Sequence, residues 1–211
     1  MNSEEKEISY TTTNSYSTLN TLKATTKNVW LVCHGMGYLS KYFLKYFKGL
    51  NPDENYIIAP QAQSKYYIKS NFKHVGASWL TKENTKAETE NVLNYFDAVL
   101  ENEKVPKDIN LIVFGYSQGV SVAARYISSR QLQCTQLIFH SGSIPKELDV
   151  EDFAFYTGKV HLICGDKDEY INDKRLQLEL KRVKSLFENN LEIHLFDGVH
   201  EVNVGIINGF V

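Results

Sequence analysis

The stretch of sequence that decides the fold is Asn110-Leu-Ile-Val-Phe-Gly115-Tyr116-Ser117-Gln118-Gly119-Val120. Its apolar first half is typical of a buried strand, and small residues at helical spacing follow the serine. A tight strand-to-helix turn leaves no room for bulk around the serine, which accounts for glycine two residues before and two residues after it. Such a turn lifts the serine hydroxyl above the sheet and points the next backbone N–H at the same place. Because the pattern occurs by chance in about one chain of this length in fifteen, its interpretation depends on the rest of the sequence.

Length and composition favour one domain over residues 1–211, acting as an enzyme or a binding protein. The net charge of −2 gives no indication of a nucleic acid or an anionic membrane as partner. Three cysteines without a CxxC pair argue against a disulfide framework or a zinc site. We see no signal peptide and no apolar stretch of membrane-spanning length, so we expect a cytoplasmic protein without stable membrane insertion.

Apolar runs alternate with helical stripes along the chain. Continuous apolar runs, typical of strands buried on both faces, occupy residues 28–33, 55–59, 109–116, 137–139 and 160–164. Apolar stripes at helical spacing lie between them, and residues 191–195 alternate in polarity as an edge strand does. This order predicts an α/β fold with a mostly parallel central sheet and helices on both faces.

Three further segments carry more local predictions. Residues 1–27 are polar and rich in threonine, and we expect an antiparallel hairpin there between residues 6–10 and 17–22. Residues 61–81 show no period, which predicts a long irregular loop that lines a site. Thr85-Lys-Ala-Glu88 has the spacing of a capping box at the start of a helix.

A serine hydroxyl needs a base within hydrogen-bond reach, and in an open α/β sheet that base must follow the end of a strand. Of the six histidines, His200 lies past the last predicted strand, while His161 and His194 lie inside strands. His140 ends the strand after the elbow helix, and His74 lies in the irregular loop. We therefore choose His200 as the base.

The base in turn needs an acid that orients its ring. The segment Gly165-Asp-Lys-Asp-Glu169 follows a predicted strand and offers three carboxylates. We favour Asp168 over Asp166 and Glu169, since it lies one short loop beyond the strand and Ile171 can anchor the turn. Asp197 is a weaker rival, because it lies too close to His200 along the chain to approach from a separate strand.

Acyl transfer also needs N–H donors for the developing oxyanion. The backbone N–H of Gln118 is one, and the loop His34-Gly-Met-Gly37 predicts Met36 as the other. The simpler alternative is that these glycines only make a strand-to-helix turn. We expect no metal and no cofactor in this site, because no cluster at ligand spacing is apparent.

Together these residues resemble the α/β-hydrolase superfamily, and within it the phospholipase/carboxylesterase family that includes acyl-protein thioesterases. The resemblance runs from about residue 29 to residue 201 and is carried by His34-Gly-Met-Gly37, Ala59-Pro60, Ser78-Trp79, Phe114-Gly-Tyr-Ser-Gln-Gly119, Ser141-Gly-Ser-Ile-Pro145, Gly165-Asp-Lys-Asp168 and Gly198-Val-His200-Glu201. It implies serine-dependent hydrolysis of carboxylic esters or thioesters, with Ser117, Asp168 and His200 as triad and Met36 and Gln118 as oxyanion hole. It also implies that Trp79, with Gly35 and Tyr116, borders the substrate groove.

Only residues 140–159 separate two successive strands at the place where lids of this superfamily are commonly inserted, which is too few for a lid domain. We expect an open site shaped by this loop (Phe153, Phe155, Tyr156) and by residues 61–81, although these aromatics could equally belong to the core. An open site suits small or protein-borne acyl groups. The alternatives are a catalytically idle hydrolase fold used for binding, and a peptidase or other hydrolase of the same fold.

Overall fold

The computed structural model describes residues 3–171 and 173–211. Nine strands are formed: β1 (Tyr16–Leu19), β2 (Asn28–Cys33), β3 (Asn55–Pro60), β4 (Ser64–Tyr67), β5 (Val75–Ser78), β6 (Asn110–Tyr116), β7 (Gln136–His140), β8 (Lys159–Gly165) and β9 (Leu191–Phe196). The helices are α1 (Ser40–Phe43), α2 (Thr85–Asn102), α3 (Gln118–Arg130), α4 (Asp173–Phe187) and α5 (Val204–Asn208). Short 3-10 turns at Leu44–Phe47, Glu151–Phe153 and Glu188–Asn190 connect them.

Seven strands form one sheet in the order β1-β3-β2-β6-β7-β8-β9. All neighbours in it are parallel except β1, which pairs antiparallel with β3. The predicted α/β fold with a mostly parallel central sheet is thereby confirmed. Because the strands are parallel, their carboxyl ends meet at one edge, where the loops after β2, β6, β8 and β9 converge.

The central strands are buried on both faces, as their continuous apolar runs predict. Along β2, Val29, Leu31 and Cys33 face a core that α2, α3 and α4 cover, while Trp30 and Val32 face a second core beneath α1 and α5. This alternation follows from the two-residue period of a strand. Among the described residues, no helix combines the length and apolar character that crossing a membrane requires.

The N-terminal region differs in part from its prediction. An antiparallel pair is present, but β1 pairs with β3, from Tyr16 opposite Pro60 to Leu19 opposite Ile57, and residues 6–10 form no strand. The free edge of the parallel sheet offers a full row of backbone groups, whereas a two-strand ribbon on its own is only marginally stable. The hairpin prediction was therefore wrong about the partner.

Two local predictions are also corrected. Residues 61–81 are not irregular throughout, because β4 and β5 form a separate antiparallel hairpin there. The capping box does not form: Asn84, at φ +48°, precedes the helix without a side-chain cap bond, and the Thr85 hydroxyl instead donates to the carbonyl of Thr81. A left-handed residue at the cap position turns the chain away from the geometry that the box requires.

Candidate active site

Ser117 lies in the sharp turn between β6 and α3, with φ +53° and ψ −118°. Strain of this kind persists only where the surroundings impose it. A Cβ on Gly119 would lie 2.0 Å from the carbonyl oxygen of Cys33, and one on Gly115 would lie 2.6 Å from that of Gly119. The two glycines are therefore required because the turn packs directly on itself and on β2.

The structure brings Ser117, His200 and Asp168 into one hydrogen-bonded chain. The Ser117 Oγ lies 3.0 Å from Nε2 of His200, and Nδ1 of His200 lies 2.7 Å from Oδ2 of Asp168. The Asp168 side chain is fully buried and that of His200 is 15% exposed. These three residues come from the loops after β6, β8 and β9, which the sheet topology places side by side.

The second oxygen of Asp168 is also occupied, because its Oδ1 accepts the backbone N–H groups of Tyr170 (2.8 Å) and Ile171 (3.2 Å). Ile171 is buried and thus anchors the turn. A carboxylate with both oxygens engaged has one defined orientation, so it also fixes the ring to which it is bonded.

Two neighbouring aromatic residues pack against His200. The Tyr116 hydroxyl donates to the backbone carbonyl of His200 at 3.0 Å, and its ring centroid lies 5.3 Å from the imidazole. The ring centroid of Tyr170 lies 4.8 Å from the imidazole. The base is consequently packed in place as well as hydrogen-bonded.

The rival carboxylates have other partners. Asp166 accepts the backbone N–H of Gly198 at 3.1 Å, and Asp197 is exposed and paired with Lys167. Glu169 lines the cleft, and its carboxylate makes a long contact of 3.4 Å with the backbone N–H of His200. None of the three contacts the His200 ring in the part of the chain that the structure describes.

Two buried histidines support the site without touching Ser117. His34 accepts the N–H of Ala62 at Nε2 (3.2 Å), while His140 accepts the N–H of Asn203 at Nε2 (3.0 Å). Burial lowers the pKa of His34 to about 4 and that of His140 to about 3, and His200 adds to the second effect. Both rings are therefore neutral at pH 7 and act as fixed hydrogen-bonding groups for the loops around the site.

The loop after β2 lies against the serine, as the sequence predicts. A Cβ on Gly35 would lie 3.2 Å from Cβ of Ser117, so this backbone closely borders the nucleophile. The N–H of Gly37 donates to Ala77 at 2.8 Å and that of Tyr38 to Gly35 at 3.2 Å. Within the described residues the N–H of Met36 has no partner, which leaves it available to a ligand.

The β4–β5 hairpin supports this loop from behind. A Cβ on Gly76 would lie 2.6 Å from the carbonyl oxygen of Gly37, so the two backbones are in direct contact. Residues 61–81 thus position the loop after β2. None of them lines the cleft, so the prediction that this segment lines the site is wrong.

The Gln118 side chain makes hydrogen bonds that the sequence did not lead us to predict. Its Oε1 accepts the backbone N–H of Trp79 at 2.9 Å, and its Nε2 donates to the carbonyl of Leu80 at 2.7 Å and to Ser78 at 3.0 Å. The glutamine after the serine therefore ties the loop after β5 to the elbow. The signal available in the sequence was the glutamine itself. Any residue type supplies a backbone N–H to an oxyanion hole, whereas these additional contacts require a side-chain amide.

Trp79 does not border the groove. It is 1% exposed, its Nε1 donates to the carbonyl of His34 at 2.7 Å, and its ring packs against His34 and Phe96. Large aromatic side chains gain most from full burial. The predicted substrate contact is thus replaced by support of the loop after β2, whereas Tyr116 does line the cleft.

A cleft of about 520 Å³ opens in front of Ser117. Besides Ser117, His200, Tyr116 and Gln118, it is lined by Met36, Tyr38, Ser121, Ser141, Gly142, Ser143, Glu169, Tyr170, Ile171 and Arg175. Of residues 140–159, only the first few reach it. The aromatics predicted to shape it do not: Phe153 and Tyr156 are buried near Phe187, and Phe155 packs against the same core.

One group of potential metal ligands lies away from this cleft. His161, Glu192 and His194 each offer a donor atom within 4.8 Å of the others. No sequence pattern reveals this group, because its members come from two strands and meet only through the register of β8 and β9.

Comparison with known proteins places the chain in a family. The sequence profile of the phospholipase/carboxylesterase family matches residues 14–206. By sequence, the chain matches none of the curated proteins.

Similar solved structures include acyl-protein thioesterase 2 of Zea mays (TM-score 0.71, 18% identity, covering 93% of this chain and 96% of that one). A phospholipase/carboxylesterase from Dyadobacter fermentans is similar too (TM-score 0.68, 20% identity, 95% and 97%), as is the carboxylesterase of Bacillus cereus (TM-score 0.68, 18% identity, 93% and 91%). At these identities the likeness concerns the fold. The family profile, spanning most of the chain, carries the assignment: this protein belongs to the phospholipase/carboxylesterase family of α/β-hydrolases and is a hydrolase of ester bonds.

Proposed function

We propose that this protein is a serine carboxylesterase or thioesterase that works through an acyl-enzyme intermediate, with Ser117 as nucleophile, His200 as base and Asp168 as the orienting acid. The observation that carries the proposal is the continuous chain of hydrogen bonds from the Ser117 hydroxyl through His200 to a buried carboxylate. A non-catalytic binding protein would need no such chain.

In the first half-reaction, the Ser117 hydroxyl attacks the carbonyl carbon of the substrate while Nε2 of His200 takes its proton. The oxyanion that forms accepts hydrogen bonds from the backbone N–H groups of Gln118 and Met36. His200 then passes its proton to the departing alcohol or thiol, and the acyl group remains on Ser117.

In the second half-reaction, His200 removes a proton from water, which attacks the acyl-enzyme. Collapse of the second tetrahedral intermediate releases the carboxylic acid and returns the proton to Ser117. Asp168 accepts from Nδ1–H throughout, which keeps Nε2 free to act as base and stabilises the imidazolium. These steps use only the substrate, water and the residues named above.

The shape of the cleft supports small or protein-borne acyl substrates. Its rim includes exposed Met36 and Tyr170, and of residues 140–159 only Ser141, Gly142 and Ser143 reach it, so no separate lid covers it among the described residues. A substrate attached to a large carrier can therefore reach Ser117 without displacing a lid. A cytoplasmic location stays a prediction from the sequence.

Steady-state hydrolysis tests the proposal. Wild type is expected to hydrolyse p-nitrophenyl esters and acyl thioesters of graded chain length, and Ser117→Ala is expected to reduce kcat by about 10⁶-fold. Ser185→Ala is a matched control, because this exposed serine bonds only within α4. Turnover by Ser117→Ala at the rate of wild type would refute the assigned nucleophile.

A further inference from the structure

The group formed by His161, Glu192 and His194 is built into the sheet. His161 on β8 is opposite Glu192 in the parallel register, and His194 follows two residues later on the same face of β9. Nδ1 of His161 lies 3.1 Å from Nε2 of His194 and 3.5 Å from Oε2 of Glu192. All three side chains thus offer donor atoms within 4.8 Å of one another beside the edge strand.

We propose that this cluster is a binding site for a divalent transition-metal ion of the zinc type, held by Nδ1 of His161, Nε2 of His194 and Oε2 of Glu192. Around a tetrahedral ion with nitrogen ligands at about 2.0–2.1 Å, neighbouring donor atoms stand about 3.3 Å apart. The two separations from Nδ1 of His161, 3.1 and 3.5 Å, bracket that value, and the donor atoms of Glu192 and His194 lie within 4.8 Å of each other. Three protein ligands leave a fourth position for water.

The chemistry of the ligands fits such an ion. Two imidazoles and one carboxylate suit zinc, cobalt or nickel, and they do not suit the all-oxygen shells of calcium or magnesium. Nε2 of His161 has no hydrogen-bond partner among the described residues, so the polar contacts of this ring are those that Nδ1 makes within the cluster.

The surroundings also prepare the carboxylate. Lys159 contacts Oε1 of Glu192 at 3.3 Å, which leaves Oε2 directed at His161. The ring of Phe210 covers both histidines, with centroids 4.5 Å from His161 and 5.5 Å from His194. An outer hydrogen bond and an apolar cover are the usual supports of a metal site. Glu192 is half-exposed, so an ion can enter from the edge of the sheet.

The position of the site suggests its effect. In the part of the chain that the structure describes, β9 is the edge strand and pairs with β8 alone, so an ion at this site cross-links the edge of the sheet. The same two strands lead into the loops that carry Asp168 and His200. A bound ion would therefore hold Asp168 and His200 in register, and this effect rests on the proposed function. Metal binding itself is independent of that function.

Metal titration of the intact chain tests the site. Protein stripped with a chelator is titrated with Zn²⁺ by calorimetry, and with Co²⁺ while its visible absorption is followed. We expect one saturable equivalent, the intense absorption of a tetrahedral Co²⁺ complex, and a raised melting temperature. Binding should persist in His200→Gln, which removes the other histidine–carboxylate pair, and in the matched control His74→Gln, which removes an exposed surface histidine.

The variants separate a built site from adventitious binding. His194→Gln should abolish the stoichiometric binding. His194 is not fully buried, so this variant is expected to fold, which circular dichroism verifies. The proposal is overturned if wild type shows no saturable Zn²⁺ binding, or if folded His194→Gln binds as tightly as wild type. These readouts do not involve esterase activity, so the outcome is separate from that of the proposed function.

Discussion

Replacing Asp168 by asparagine tests how the carboxylate controls the base. In wild type, Oδ1 of Asp168 accepts two backbone N–H groups and Oδ2 accepts Nδ1–H of His200. An asparagine has only one oxygen, and two backbone donors require it on the Oδ1 side. Its NH₂ group must then face His200, which forces Nδ1 to accept and moves the ring proton to Nε2. With that proton in place, His200 can no longer accept from Ser117.

The expected fall in kcat follows because the variant no longer holds His200 in the tautomer that can act as a base. Loss of this tautomer lowers kcat by about 10⁴-fold, equivalent to about 5.4 kcal/mol of activation free energy. KM should change little, because the side chain of Asp168 is buried behind the imidazole and does not reach the cleft. Steady-state hydrolysis of a p-nitrophenyl ester measures both constants. Asp166→Asn is the control, since it keeps an oxygen for the N–H of Gly198. A folded Asp168→Asn enzyme within tenfold of the wild-type kcat would refute the reasoning.

Three further predictions concern the supports of the site. Gly76→Ala places a Cβ 2.6 Å from the carbonyl oxygen of Gly37, so we expect kcat of ester hydrolysis to fall by about 10- to 10²-fold with KM little changed; unchanged kcat would contradict the role of the hairpin. Gln118→Ala leaves a buried backbone N–H without its acceptor and should lower the free energy of unfolding in urea by about 1–3 kcal/mol, while the serine still labels with a fluorophosphonate. His34 and His140 have pKa values of about 4 and about 3, below the usual 6.5, so the stability that they contribute is present above pH 6.5 and is lost as the pH falls toward 4. Each should remove roughly 2 kcal/mol between pH 7.5 and 5, and urea unfolding free energies that do not change over that range would refute this.

Local sequence patterns were sufficient for most of the fold. Strand β6 and the turn at Ser117 were predictable because an apolar run, two glycines and a small-residue helix are neighbours in the sequence. The placement of His200 and Asp168 followed from topology, since residues after the ends of parallel strands share one edge of the sheet. Asp168 lies within hydrogen-bond distance of His200 and Ile171 is buried behind it, while the role of Asp168 as the acid stays a prediction.

What sequence reasoning missed depends on side-chain direction and on pairing between distant strands. A tryptophan such as Trp79 fits the wall of a groove as well as the core. The hydrogen bond from its indole N–H to the carbonyl of His34 shows that it faces inward. Strand β1 pairs with β3 because the sheet edge, which is absent from a local pattern, outcompetes a hairpin. The group around His161 likewise requires the register of β8 and β9, which the alternation of β9 alone does not specify.

The most direct test of the central claim is to treat the folded protein with a fluorophosphonate probe and locate the adduct by mass spectrometry. The account predicts a single adduct on the peptide that contains Ser117, because only this serine contacts a buried histidine–carboxylate pair among the described residues. Ser117→Ala should remove the adduct and Asp168→Asn should slow its formation. A folded wild-type protein that stays unlabelled, or that is labelled at another serine, would contradict the account.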